Sequence, residues 1–191
     1  MGYSRAGFEV VGVDIRPQPN YPFEFIQADA LEFITNWRFP EWAECCFDAI
    51  HASPPCQHYA NVTRWRGDQD NHPDLIAPTR ALLEETGLPW VMENVRTRAI
   101  RGDVVLCGTA FGLPIRRHRH FETNWLGVPL VMGCHHRKTD LAFEHKQERR
   151  YADAMDCNWM SARNAREAIP PCYTELIGAQ LMQHIESERA A

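Results

Sequence analysis

The sequence predicts an α/β protein built on a mostly parallel, doubly wound sheet. Short apolar runs rich in β-branched residues alternate with segments of helical periodicity, as in strand-helix-strand units. Several of these runs end in an acidic or otherwise polar residue, as strands do at the ligand-binding edge of such a sheet. A length of 191 residues and a hydrophobic content of 45 % suit one domain, residues 1–191, with a substantial core.

The N-terminal half supplies four predicted parallel strands. The first two are "FEVVGVDI" (8–15) and "FEFIQADA" (23–30), and the helix "ALEFITNW" follows them. "CFDAIHASPP" (46–55) is a third strand-like run. The segment "DLIAPTRALLEETG" predicts a longer helix closed by Gly87, and "PWVMENV" (89–95) is the fourth strand.

The C-terminal half predicts the end of the sheet and a closing helix. "DVVLCGTAFGLP" and "RRHRHFETNW" are consistent with an antiparallel pair, whereas the polar stretch from 126 to 160 predicts no element. "AIPPCYTELIGAQLMQHIE" (168–186) indicates a loop that leads into an amphipathic helix. Its apolar residues at helical spacing are Leu176, Ile177, Leu181 and Ile185.

Composition and charge exclude several classes of protein. No apolar run reaches about 18 residues and no signal-peptide pattern is present, so we expect a soluble, intracellular protein without membrane contact. The seven cysteines form no repeated C-x-x-C motif, which argues against a disulfide framework or zinc ribbon. The formal net charge is −5, but six arginines and two histidines between residues 96 and 120 predict a local basic face.

The stretch "HASPPCQHYA" contains the first candidate site residue, Cys56. Rigid prolines before a thiol at a strand end would hold it in one exposed place, as a nucleophile requires. The alternative is that Cys56 is a small buried core residue. A carboxylate, Glu93, ends the next predicted strand and would face the same edge of the sheet.

Three motifs in order, "SPPCQ", "ENV" and "RRHRHFE", resemble those of the cytosine-C5 DNA methyltransferase family, closest to its short phage-borne members. The segment "AGFEVVGVDI" is similar to the family's second cofactor-binding strand, and "QADALEF" to its third motif. "AIPPCYTELIGAQL" is similar to the terminal segment that returns to the cofactor site. The resemblance implies a Rossmann-like methyltransferase fold. It also implies that the protein acts in the cytoplasm of a phage-infected or bacterial cell.

The resemblance also implies a reaction, the transfer of a methyl group from S-adenosyl-L-methionine to C5 of a flipped cytosine in DNA. Cys56 would add to C6 of the base, and Glu93 would hydrogen-bond N3. Asn94 would hold the loop or the carboxylate, and Arg117 and Arg119 would lie near the base and its phosphate. Alternatively, Glu93 is an ordinary surface carboxylate and the arginines form a solvated face.

The same resemblance implies a cofactor site at the strand ends. Asp14 would accept hydrogen bonds from the ribose and Asp29 from the adenine amino group, although both aspartates could instead be helix N-caps. The other implied cofactor-binding residues are Ile15, Ala30, Leu31, Pro54, Tyr173 and Thr174. A helix cap explains Thr174 equally well.

Two departures from the family pattern concern the beginning and the size of the chain. "MGYSRAGF" already resembles the helix that follows the family's first strand and glycine-rich loop. Met1 would then be an internal methionine of a longer protein, a partner chain would supply the strand, or the chain is a decayed copy. Residues 126–168 form a short insert where the family has a target-recognition domain, so sequence specificity should be short or come from a partner.

Other functions remain open on the sequence. The chain could be a catalytically silent nucleic-acid-binding remnant, an RNA cytosine-C5 methyltransferase, or a thiol-dependent enzyme that pairs Cys56 with His58 or His118. "GCHH" near His145 raises the question of a metal. Because no second cysteine stands at ligand spacing, the sequence predicts no metal site.

Overall fold

A computed structural model describes most of the chain. The described residues are 1–36, 47–60, 63, 65, 67, 69–125, 127, 133–142, 148–165 and 167–190. Within them the helices are α1 (Gly2–Arg5), α2 (Ala30–Asn36), α3 (Ile76–Thr86), α4 (Glu148–Ala154), α5 (Ala162–Ala165) and α6 (Pro171–Ala190). The strands are β1 (Val11–Asp14), β2 (Glu24–Gln27), β3 (Ile50–Ala52), β4 (Trp90–Asn94), β5 (Val104–Leu106) and β6 (Arg119–Thr123). Short 3₁₀ turns occupy Gln69–Asn71 and Gly108–Phe111.

The strands form two sheets that mix parallel and antiparallel pairing, which confirms an α/β protein. β1 and β2 make a parallel pair, and the four-stranded sheet has the order β3-β4-β6-β5. β3 is parallel to β4, whereas β6 is antiparallel to both β4 and β5. The predicted antiparallel pair is therefore confirmed, but the described strands form two sheets rather than one continuous sheet.

Local sequence signals account for the helix ends. Gly87 closes α3 with φ 70°, a left-handed conformation that residues with a side chain rarely adopt, and its position was predicted. Pro171 begins α6, where its missing N–H costs nothing, and the helix extends beyond the predicted end. α4 lies in the stretch for which no element was predicted. No helix among the described residues has the length and apolar character needed to cross a membrane.

β4 is the buried centre of the fold. Its side chains alternate between two apolar clusters, as the period of a strand requires. Val91 packs with Leu106, Phe121 and residues of α6 on one face. On the other face, Trp90 and Met92 pack with the residues Ile34, Ile76, Leu83 and Ile100. This double-sided burial holds the carboxyl end of β4, where Glu93 and Asn94 lie, in a rigid frame.

Candidate active site

The cysteine loop that follows β3 is anchored to the end of β4. Asn94 Nδ2 donates a hydrogen bond of 2.8 Å to the carbonyl oxygen of the buried Pro54. Asn94 Oδ1 accepts from the backbone N–H of Val95 at 2.9 Å. Because Asn94 is itself buried, this bond holds the loop two residues before Cys56, whose side chain is partly exposed. Of the two predicted roles of Asn94, these contacts favour holding the loop.

Glu93 and Arg119 form an ion pair beside this loop. The Nε atom of Arg119 lies 2.8 Å from Oε1 of Glu93. The strand register explains the contact, since Glu93 lies opposite Phe121 and Arg119 is two residues from Phe121 on the same face. Glu93 is 7 % exposed. Within the described part of the chain, its buried Oε1 accepts no hydrogen bond of favourable angle, so Arg119 contacts this atom as an ion pair.

In the candidate site, burial and the positive charges of the arginines shift the pKa values of Glu93 and Cys56 in opposite directions. Burial raises the pKa of Glu93. The charge of Arg119, a hydrogen bond donated by Ser53 and the charge of Arg117 each act to lower this pKa. Burial also raises the pKa of the Cys56 thiol, while Arg119 and Arg117 lower it and Glu93 raises it. The pKa of Arg119 itself is lowered, mainly by burial. The enclosure therefore favours a protonated Glu93, and Arg119 favours the Cys56 thiolate.

A chain of hydrogen bonds runs from Tyr3 through His51 of β3 and Ser53 to Glu93. Tyr3 Oη lies 2.7 Å from His51 Nδ1, and His51 Nε2 lies 3.0 Å from Ser53 Oγ. Burial lowers the pKa of His51 to about 4, so the ring is neutral at pH 7 and can donate through one nitrogen while accepting through the other. Ser53 then donates to the Glu93 carboxylate. Sequence reasoning missed these three residues, because nothing local indicates their partners.

Arg117, which the resemblance implied beside the base and its phosphate, is enclosed by its own contacts. The residue is 4 % exposed, and its guanidinium donates to Tyr151 Oη and to the carbonyl oxygen of Ala168, each at 2.5 Å. It also lies over the Tyr151 ring, 5.4 Å from the centroid. These contacts assign Arg117 a structural role that leaves its charge to act on Cys56 and Glu93.

Asp14 and Ile15 lie at the carboxyl end of β1, where the resemblance implied a cofactor. The Asp14 carboxylate accepts from the backbone N–H of Arg16 at 2.8 Å and from Gln18 Nε2 at 3.1 Å. Ile15 is 63 % exposed, an apolar surface available at this edge. The pair fits a ligand with hydroxyl groups and an apolar face, with part of the carboxylate already engaged by its own turn.

Asp29 caps α2, as one of its two interpretations anticipated. Its Oδ1 accepts from the backbone N–H of Leu31 at 2.8 Å and of Glu32 at 3.1 Å. Ala30 is exposed at the start of the helix, and Leu31 is half-buried. The N-cap therefore accounts for Asp29 without a ligand, and its position still shares the sheet edge with Asp14.

Tyr173 and Thr174, which the resemblance implied as cofactor residues, are both buried. Tyr173 is 0 % exposed and donates from Oη to the carbonyl oxygen of Arg117. Thr174 is buried, and its Oγ1 donates to the carbonyl oxygen of Pro171. Thr174 borders a cavity of about 250 Å³ beside α1, smaller than the usual site for a small molecule.

The chemistry of the site follows from its own contacts. A thiol, a buried carboxyl and an enclosed guanidinium meet at the carboxyl ends of β3 and β4, an arrangement suited to covalent attack on a ring that accepts a hydrogen bond. This cluster was predicted from order along the chain, whereas its support by Ser53 and His51 was not. Comparisons of the chain with protein-family models, with curated proteins and with solved structures found no match.

Proposed function

We propose that the protein transfers a methyl group from S-adenosyl-L-methionine to C5 of cytosine in DNA. One observation carries the proposal, the convergence of Cys56, Glu93, Asn94 and Arg119 at a single edge of the sheet. Asn94 fixes the cysteine loop at 2.8 Å, and Arg119 contacts Glu93 at 2.8 Å. Arg119 and Glu93 are also close enough to Cys56 to change its pKa.

The residues suit the steps that this reaction requires of the protein. C5 of cytosine becomes nucleophilic when the Cys56 thiolate bonds to C6 and the ring electrons move towards N3. Glu93 stabilises that adduct by donating a hydrogen bond to N3, for which its raised pKa is suited. Asp14 and Ile15 would hold S-adenosyl-L-methionine at the strand ends, and this cofactor would supply the methyl group and leave as S-adenosyl-L-homocysteine. Loss of the C5 proton to a base then allows the S–C6 bond to break and restores the ring.

Strand order supports a methyltransferase-like sheet. In a doubly wound sheet the first strand is central, with the second and third on one side and the fourth and fifth on the other. Among the described strands, β2-β1 in one sheet and β3-β4 at the beginning of the other match the two sides of such a sheet. We therefore include a Rossmann-like methyltransferase fold in the proposal.

The trapping experiment uses a DNA duplex that contains 5-fluorocytosine. Fluorine at C5 cannot leave as a proton does, so a methylated adduct stays bonded to Cys56. We expect the wild-type chain with S-adenosyl-L-methionine to form a complex that survives denaturing electrophoresis. Cys56→Ala should form none. Cys172→Ala, which removes a half-buried cysteine outside the site, should react as the wild type does.

The same experiment separates the alternatives. A single-stranded RNA with 5-fluorocytidine, trapped in preference to the DNA, would replace the DNA target by RNA. Absence of an adduct from a chain that binds DNA would overturn the enzyme and favour a silent binding module. An adduct that persists in Cys56→Ala would refute the assigned nucleophile.

A further inference from the structure

Four side chains outside the candidate active site form a second cluster, composed of two cysteines and two histidines. Cys107 follows β5 and His118 precedes β6, while Cys134 and His136 belong to the segment 133–142. The sulfur and ring nitrogen atoms of the four residues all lie within 4.8 Å of one another. Cys107 is buried, and the other three residues are at least partly exposed.

The distances are those of a tetrahedral metal site. Cys107 Sγ lies 3.4 Å from His136 Nε2, and Cys134 Sγ lies 3.5 Å from His118 Nε2. A zinc ion with Zn–S bonds of about 2.3 Å and Zn–N bonds of about 2.0–2.1 Å has S···N edges of about 3.5 Å. The histidine rings face each other edge to face with centroids 5.0 Å apart, so their nitrogens can point at a common centre.

We propose that Cys107, His118, Cys134 and His136 bind one zinc ion. Two thiolates and two imidazoles are a ligand set that favours Zn²⁺ over Mg²⁺ or Ca²⁺, which take oxygen ligands. Four protein ligands fill a tetrahedral site, so the ion serves structure rather than catalysis. This inference stands independently of the methyltransferase proposal.

The site would join three segments of the chain. The segment 133–142 lies between stretches without described residues and makes one β-bridge, from Leu141 to Ile115. A zinc ion would attach its other end to the end of β5 and the start of β6. His118 is adjacent to Arg119, so the same ion would restrain the strand start from which Arg119 reaches Glu93.

The proposal reverses the expectation drawn from the sequence. In the sequence, the candidate ligands around "GCHH" are Cys134, His135, His136 and His145. Two adjacent histidines point in different directions, which argues against a metal site made of these residues. Folding supplies the missing ligands from Cys107 and His118, far away along the chain, and leaves His135 out of the cluster. His145 lies outside the described residues.

The test measures the metal content of protein without a polyhistidine tag. The protein is produced in cells grown with added zinc and is purified in the presence of a phosphine reductant. We expect about one zinc per wild-type chain by mass spectrometry, and at least about tenfold less in Cys134→Ser and in His136→Ala. Both changes are at exposed positions, so circular dichroism should show folded variants. His135→Ala is the matched control, because it removes a neighbouring exposed histidine and should keep the metal.

A second readout uses cobalt in place of zinc. Wild-type protein should develop the strong visible absorption of tetrahedral thiolate-bound Co²⁺, and Cys134→Ser should not. Added chelator should lower the melting temperature of the wild type and leave that of Cys134→Ser unchanged. Zinc content near zero in the wild type, equal content in Cys134→Ser, or a Cys107–Cys134 disulfide that persists in reductant would each overturn the site.

Discussion

Arg119 and Glu93 meet as an enclosed ion pair, 2.8 Å apart, on the shared face of β6 and β4. The pair places the positive charge and the carboxyl close enough to Cys56 to change the pKa of its thiol. Burial disfavours both charges, raising the pKa of Glu93 and lowering that of Arg119. A neutral substrate that accepts a hydrogen bond would therefore be bound more readily here than an anion.

Arg119→Gln should make Cys56 less reactive. Arg119 is the strongest influence that lowers the pKa of this thiol, so its removal raises the pKa and reduces the thiolate at neutral pH. We expect alkylation by iodoacetamide at pH 7.5 to slow by about 3- to 10-fold, followed by mass spectrometry of the Cys56 peptide. Arg116→Gln, at an exposed neighbouring position, is the control. An unchanged or faster rate in Arg119→Gln would contradict the electrostatic role.

Asn94→Leu should both destabilise the protein and loosen the cysteine loop. The buried Pro54 carbonyl loses its donor and the Val95 N–H loses its acceptor, at a cost of about 1–3 kcal/mol. Urea denaturation measures the free energy of unfolding. Alkylation of Cys56 should accelerate while that of Cys172 stays constant. Equal acceleration at both cysteines would indicate general unfolding instead.

Glu122→Gln should reduce stability more than any exposed charge change. Glu122 is fully buried and receives two hydrogen bonds from Arg80, at 2.6 and 2.8 Å, and one from the backbone N–H of Arg101. Removing the carboxylate leaves a partly buried guanidinium without its counter-charge, which costs about 3–5 kcal/mol. Asp153→Asn breaks a surface pair with Arg149 and should cost less than about 1 kcal/mol. Similar losses of unfolding free energy for Glu122→Gln and Asp153→Asn, measured by urea denaturation, would contradict this prediction.

His51 should make stability depend on pH below neutrality. Its pKa is lowered to about 4 in the folded protein, whereas an unfolded histidine titrates near 6.5. The unfolded state therefore binds the extra proton between these values, so the contribution is complete above about pH 6.5 and is lost as pH falls towards about 4.

His51→Gln removes this titration while keeping a polar side chain. The wild type should lose roughly 2–3 kcal/mol more than the variant between pH 7 and pH 4. Urea denaturation across this pH range gives the free energy of unfolding of both proteins. The contributions of the other histidines cancel in the difference, because both proteins contain them. Parallel curves for the two proteins would mean that His51 is not held neutral.

Most strands and the end of one helix could be predicted from the amino-acid sequence. Alternating apolar patterns located β1, β2, β3, β4 and the last antiparallel pair, and Gly87 marked the end of α3. These features depend on side-chain period and backbone preference, which neighbours in sequence already specify. α4 was missed because its helical pattern is short and its burial depends on Ile115 and other distant residues.

The sequence by itself determined the α/β class, the strand ends and the order of Cys56, Glu93, Asn94 and Arg119. Only the tertiary structure decided which side chains meet. It paired Arg119 with Glu93, turned Arg117 inward onto Tyr151 and gathered the Cys107 cluster from three segments. The reason is physical, since hydrogen bonds and ion pairs form between groups a few ångströms apart in space, and their separation along the chain leaves no local signal.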